Sequence, residues 1–242
     1  MNFMKDFRIF SCLLIWICAC TLYAKDLPRE ELLINSCWKY SKGDHEHAEQ
    51  EDFDDTSWEN VGLPHSFSIP YFMSKDFYVG YGWYRKQIQL SAADLKRKLF
   101  LEFDGVFQEA EVFVNGRMAG KHVGGYTGFS VDISPWIKKG KNLIAVRVNN
   151  LWKPDVAPRA GEHVFSGGIY RNVRLVKKGY CYISWYGMFI TTPDLAEQQG
   201  RYSRVKIETE ICNESNKSGI YRLQTRILDC NEKNVATVET TE

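Results

Sequence analysis

The stretch Ser166-Gly167-Gly168-Ile169-Tyr170-Arg171-Asn172-Val173, running on into Arg174-Leu175-Val176, decides the fold. Two adjacent glycines permit positive φ and a close approach of backbone to its neighbours, so Gly167-Gly168 reads as a sharp, crowded corner. Beyond it, apolar and polar residues alternate with the period of two that marks a half-buried strand. A rigid corner ahead of a strand presents the residues before it, Glu162, His163 and Phe165, at one end of a sheet.

Working outward, the same alternation recurs. Trp83 to Leu90 reads WYRKQIQL, and Leu99, Leu101 and Phe103 share one face of a strand opened by Lys98. In the run Glu109 to Val114, Ala110, Val112 and Val114 point one way and Glu109, Glu111 and Phe113 the other. Asn115-Gly116 follows at once, a strong hairpin signal, because both central residues of a type I′ turn need φ > 0. Phe129-Val131-Ile133 and Leu143 to Val148 supply two more strands, and Leu33 to Tyr40 reads as the first, anchored by Trp38. Short strands separated by turn residues, with no long helical period, predict an all-β sandwich or jelly roll.

These motifs also carry a resemblance. GYGWYRKQIQL (80–90), FDGVFQEAEVFVNG (103–116), GYTGFSVDIS (125–134) and the Gly167-Gly168 corner are similar, in order and spacing, to the N-terminal sugar-binding domain of glycoside hydrolase family 2, the β-galactosidase, β-glucuronidase and β-mannosidase group. The likeness covers roughly residues 35 to 176 and implies a galactose-binding-like jelly roll beside a catalytic barrel. Asp55, Trp58 and Val61-Gly62-Leu63-Pro64-His65 fit a structural pattern of that domain. The family's acidic sugar contact, five positions before the small pair of the corner, falls on Glu162. A glutamate there is one methylene longer than the usual aspartate, so a direct contact and a solvated loop carboxylate both stay open. His163, Asn149, Asn150 and Trp152 lie before or beside the same loop and are further substrate-binding candidates. Tyr170 and Arg171 are expected to be structural.

Retaining glycosidases need two carboxylates ~5–5.5 Å apart. The family keeps both on an eight-stranded barrel, which takes ~250 residues. No catalytic residue is therefore expected within this chain, which should not hydrolyse a glycoside by itself. The motif dialect leans toward β-galactosides. A free-standing carbohydrate-binding module and a purely structural domain are the competing expectations.

Three segments are predicted. Residues 1–24 read as an export signal: Lys5 and Arg8 precede an apolar run from Ile9 to Cys20, and Leu22-Tyr23-Ala24 offers a cleavage site. Cys20 is alternatively a lipid-anchor site, so the product is expected in the periplasm, outside the cell or as an outer-membrane lipoprotein. Residues 25–178 form the jelly roll. Residues 179–242 form part of an immunoglobulin-like sandwich, short of the ~100 residues and seven strands of a complete one. Such a part leaves open strand edges and half a core, and is expected to be poorly stable alone.

Composition excludes other classes. Thirty-one basic and 30 acidic residues give a net charge of +1, which offers no electrostatic footprint for nucleic acid. Of the seven cysteines, Cys37, Cys181, Cys212 and Cys230 follow the leader, without metal-ligand spacing. A Cys212–Cys230 bridge and four free thiols are both open. His45, Glu46 and His47 sit in an acidic segment that reads as a solvated loop rather than a metal site. Neither metal nor cofactor is expected.

Overall fold

The computed structural model describes residues 28–67, 78–156, 167–197 and 204–241. The leader with Cys20, residues 68–77, and Glu162, His163 and Phe165 lie outside the described residues. Among those described, the regular structure is strand, with two short 3-10 turns at Asp94–Lys96 and Ser134–Trp136.

Ten strands make two antiparallel sheets. In chain order they are β1 (Glu30–Leu33), β2 (Trp38–Lys42), β3 (Glu59–Val61), β4 (Tyr81–Leu90), β5 (Lys98–Phe103), β6 (Glu109–Val114), β7 (Arg117–Val123), β8 (Phe129–Asp132), β9 (Gly140–Asn149) and β10 (Val173–Lys178). One sheet has the order β3-β2-β4-β9-β6-β7 and the other β1-β10-β5-β8.

Alternation sets what each sheet buries. Tyr84 and Ile88 of β4, Val112 of β6, Ile144 and Val146 of β9, Leu101 of β5 and Leu175 of β10 form one core between the sheets. Asn115 and Gly116 turn the β6–β7 hairpin with φ of 51° and 79°. The Asn115 amide holds the turn by donating to Trp136 O and Asn142 Oδ1, at 2.8 and 2.9 Å.

The expected single strand Leu33–Tyr40 is instead two strands in different sheets. Its apolar run crosses from one layer to the other: Ile34 N–H donates to Val173 O in the four-stranded sheet, while Trp38 pairs with Val61 in the six-stranded one. Cys37, at φ 56°, makes the turn, and the buried Trp38 indole donates back to Ile34 O at 2.7 Å.

The segment after β2 is less solvated than its acidity suggests. Ala48 and Trp58 are buried against Trp83 and Ala145 on the outer face of the six-stranded sheet, with Phe53 and Phe113 beside them. Arg85, itself buried, donates to Asp55 Oδ2 at 2.8 Å and to the carbonyls of Ala48 and Gln50, and so fastens this segment down. His45 hydrogen-bonds Ser41 and stacks near Trp58.

After β10 come two separate hairpins, β11 (Cys181–Thr191) with β12 (Lys206–Asn213) and β13 (Arg222–Leu228) with β14 (Asn234–Thr241). The first leans on the four-stranded sheet: Tyr182 meets the edge of Phe100 at 5.4 Å, and Lys98 bridges Asp132 and Glu214 at 2.5 and 2.6 Å. Ile220, Val235 and Val238 of the second are exposed. Cys37, Cys212 and Cys230 are free thiols, so no Cys212–Cys230 bridge forms.

Candidate functional site

Loops from both sheets converge at one end of the sandwich, and the Gly167-Gly168 corner ties them together. Gly168 sits at φ 119° and exchanges two backbone hydrogen bonds with Phe107, at 3.0 and 3.1 Å. His65 and Phe67 N–H groups donate to Ile169 O and Gly167 O. A Cβ on Gly168 would lie 2.5 Å from Tyr84 Oη and 2.8 Å from His65 O, so side-chain-free backbone is needed here. Tyr170 Oη donates to Gly125 O at 2.5 Å, which joins the corner to the next loop. Tyr170 is thus structural, and the exposed Arg171 lies over its ring at 5.8 Å.

Behind the corner, His65 Nδ1 and Tyr84 Oη share a hydrogen bond of 2.8 Å. Burial holds the His65 imidazole below its ordinary value and Tyr84 well above its own, so both are neutral near pH 7. The pair is a buried support rather than an acid–base couple facing solvent.

The candidate residues fall into different places. Asn150 is buried and turned inward: its Oδ1 accepts from Gly80 N–H at 2.8 Å and its Nδ2 donates to Tyr78 O at 3.1 Å. That bracket holds the start of β4. Asn149, one residue earlier, points to the opposite side and donates to Glu109 Oε2 at 2.8 Å; Lys153 pairs with Glu109 Oε1 at 2.6 Å. Trp152 is 64% exposed just beyond. Trp152 therefore remains a surface candidate at this end, while Asn149 is itself largely buried beneath the outer face, its amide held by Glu109 and Leu151 N–H, and the Asn150 amide is committed to backbone groups.

Two clefts open here. One, of about 260 Å³, is lined by Tyr81, Glu109, Lys121, Arg147, Asn149 and Lys153 among others. The second, of about 490 Å³, lies between Val123–Thr127 and Asp155–Val156. Tyr126 stands 67% exposed in it, braced by the edge of Phe107 at 5.7 Å. An exposed tyrosine offers a sugar ring an apolar face and a hydroxyl; carboxylates and amides accept and donate to its hydroxyls. Arg147 and Asp155 were not singled out from sequence, because only the strand register and the loop closure bring them to this surface. Among the described residues no three His, Cys, Asp or Glu side chains are grouped to hold a metal ion.

A two-sheet antiparallel sandwich of this kind belongs to the class of jelly-roll domains. Residues 41–179 match the family model described as glycosyl hydrolases family 2, sugar binding domain, and the chain belongs to that family. A β-galactosidase of Bacteroides ovatus is 33% identical over 229 residues, covering 90% of this chain and 26% of that protein. A β-galactosidase of Thermoanaerobacter pseudethanolicus is 40% identical over 156 residues, covering 62% of this chain and 21% of that protein. The crystal structure of a Bacteroides uniformis β-glucuronidase superimposes with a TM-score of 0.83 at 31% identity, covering 89% of this chain and 26% of that one. The chain thus spans about a quarter of the length of such relatives and corresponds to their N-terminal, non-catalytic part.

Proposed function

We propose that this chain is the substrate-recognising N-terminal part of an exported family 2 glycosidase acting on β-galactosides, with the catalytic carboxylates on a barrel outside these 242 residues. The observation that carries the reading is the jelly-roll end built around Gly167-Gly168, in a chain whose residues 41–179 match the family's sugar-binding domain. In this reading residues 25–178 are the jelly roll and 179–242 the first strands of an immunoglobulin-like sandwich. Asn149, Trp152 and, from the motif, Glu162 and His163 form one wall of the substrate pocket. Export rests on the sequence of residues 1–24, with signal cleavage after Ala24 or lipidation at Cys20 as its two forms.

A β-glucuronide substrate is the second reading, favoured by the likeness to the solved β-glucuronidase. The two are separated by assaying the product of the whole gene on p-nitrophenyl β-D-galactopyranoside and p-nitrophenyl β-D-glucuronide. Galactoside turnover by the whole product, none by the 242-residue chain, and a KM raised about tenfold by Glu162→Ala are expected. A loss of about tenfold corresponds to about 1.4 kcal/mol, the scale of one charged hydrogen bond to a sugar hydroxyl. Hydrolysis by the 242 residues alone, or no turnover of either glycoside by the whole product, refutes the assignment.

A further inference from the structure

Strand register lays a polar row across the outer face of the six-stranded sheet at its loop end. Tyr81 of β4 pairs with Asn149 of β9, Asn149 with Glu109 of β6, and Glu109 with Val123 of β7. Paired residues point to the same side, so these four side chains form one floor, about 14 Å across at the usual ~4.8 Å strand spacing. The guanidinium of Arg147, in the next row, lies 4.1 Å from the centre of the Tyr81 ring.

Val123 lines this floor and also the larger cleft beside it, so the two clefts adjoin at Val123 and together make a groove of two parts. Tyr126 and Asp155 both line the larger cleft. Tyr126 is not loosely hung: Gly125 beside it packs so closely on Phe107 that a Cβ would overlap the ring, and Tyr170 donates to Gly125 O. A fixed, outward-facing aromatic ring in the cleft beside a row of paired polar groups suits a ligand with alternating apolar faces and hydroxyls.

Charge narrows the class. Lys153 is matched by Glu109, Lys121 by Glu111, and Arg147 by Glu111 and Asp44, while the Asp155 carboxylate adds a negative charge at the cleft. With its cations already matched, the groove favours an uncharged chain over an acidic one.

We propose that this groove binds an uncharged β-linked oligosaccharide, as a subsite that runs on from the pocket holding the terminal sugar, with Asn149 at the junction of the two. The inference rests on the glycosidase reading and extends it to the rest of a polymeric substrate. Tyr126 stacks on one sugar ring, and Asn149 and Glu109 meet hydroxyls of the next.

The test is an NMR titration of the ¹⁵N-labelled chain with β-1,4-galactotetraose, methyl β-D-galactopyranoside and a hyaluronan tetrasaccharide. The tetraose is expected to shift the amides of Val123, Tyr126 and Asn149 and to bind at least tenfold more tightly than the methyl glycoside. The acidic tetrasaccharide is expected to leave these amides unmoved. Tyr126→Ala, at an exposed position that leaves the core intact, should weaken tetraose binding about fivefold. Asp155→Asn provides a second probe and should alter the tetraose affinity alone. Tetraose binding no tighter than the methyl glycoside, shifts elsewhere, unchanged affinity in Tyr126→Ala, or no binding of any probe overturns the groove. None of these outcomes touches the glycosidase reading, which stands or falls on turnover by the whole gene product.

Discussion

Replacing Gly168 with alanine tests the corner on which the loop end depends. The residue sits at φ 119°, where an L side chain is strained, at a cost of about 1–3 kcal/mol. The new methyl would also lie 2.5 Å from Tyr84 Oη, 2.8 Å from His65 O and 3.2 Å from Ser66 Cα. Two of those neighbours are backbone atoms and Tyr84 is fully buried, so relief requires moving the His65–Phe67 segment away from the corner. Overpacking of this kind costs about 1–3 kcal/mol, and the two effects together come to about 4 kcal/mol. Against a typical total of ~5–15 kcal/mol, that is a large fraction. With a urea dependence of about 2 kcal/mol per molar, the unfolding midpoint should fall by about 2 M. The buried Trp38, Trp58 and Trp83 give the fluorescence signal. Gly62→Ala is the control: nothing lies within 4 Å of its added Cβ, and its midpoint should stay put. A midpoint change below about 0.5 M for Gly168→Ala, roughly 1 kcal/mol, would refute the claim that this corner needs glycine.

Other substitutions probe the groups around it. Asn150→Ala leaves the buried Gly80 N–H and Tyr78 O without their bracket and should cost about 1–3 kcal/mol, with faster hydrogen exchange at the Gly80 amide. Burial opposes ionisation of Asp94, yet hydrogen bonds from Lys177 and Ser91 outweigh it and hold the carboxyl at about 2 against its ordinary 3.8. A depressed carboxylate contributes stability that is complete above the unfolded value and lost as pH falls from about 4 to about 2. Asp94→Asn should therefore flatten the urea midpoint across that window, where the parent loses about 2 kcal/mol. Burial pushes Glu102 above and Lys178 below their ordinary values, in a pair 3.6 Å apart. Lys178→Met alone should cost about 3 kcal/mol by leaving the buried carboxylate only the longer contact to Arg29 at 3.4 Å, while the double change Glu102→Leu with Lys178→Met should stay within about 1 kcal/mol of the parent, measured by a urea double-mutant cycle.

What could be read from sequence followed the local rules. Alternation in Glu109 to Val114 assigned both faces of β6, and Asn115-Gly116 announced its hairpin, because side-chain period and turn chemistry are properties of adjacent residues. The run Leu33 to Tyr40 misled for the same reason: both halves are apolar, and nothing local says that Ile34 and Trp38 serve different sheets. The covering segment before β3 was missed because it follows no period. The motif places its Asp55 as structural, but the partner that makes it so, Arg85, lies 30 positions later and no local rule points to it. At the site, Asn149 and Asn150 are equivalent in sequence and both buried, yet the pleat turns one toward Glu109 on the outer face and the other toward the Gly80 and Tyr78 backbone.

The outer face of the six-stranded sheet shows why the groove lies where it does. Three consecutive rows cross it. Arg85, Ala145 and Phe113 form the first, Trp83, Arg147 and Glu111 the second, and Tyr81, Asn149, Glu109 and Val123 the third. The first row includes apolar surface that must be removed from water, and the segment bearing Ala48, Phe53 and Trp58 covers it. In the second, Asp44 reaches from the same segment to both the Trp83 indole and the Arg147 guanidinium, which closes its margin. The third row is polar and its charges are matched within the row or with Lys153, so burial would gain little there and the cover stops short. An open, polar strip is left at the loop end. Changing Asn149 and Glu109 together to alanine and valine should therefore leave the fold intact while making this strip an apolar one, and any oligosaccharide affinity should vanish with the polar row rather than with the corner.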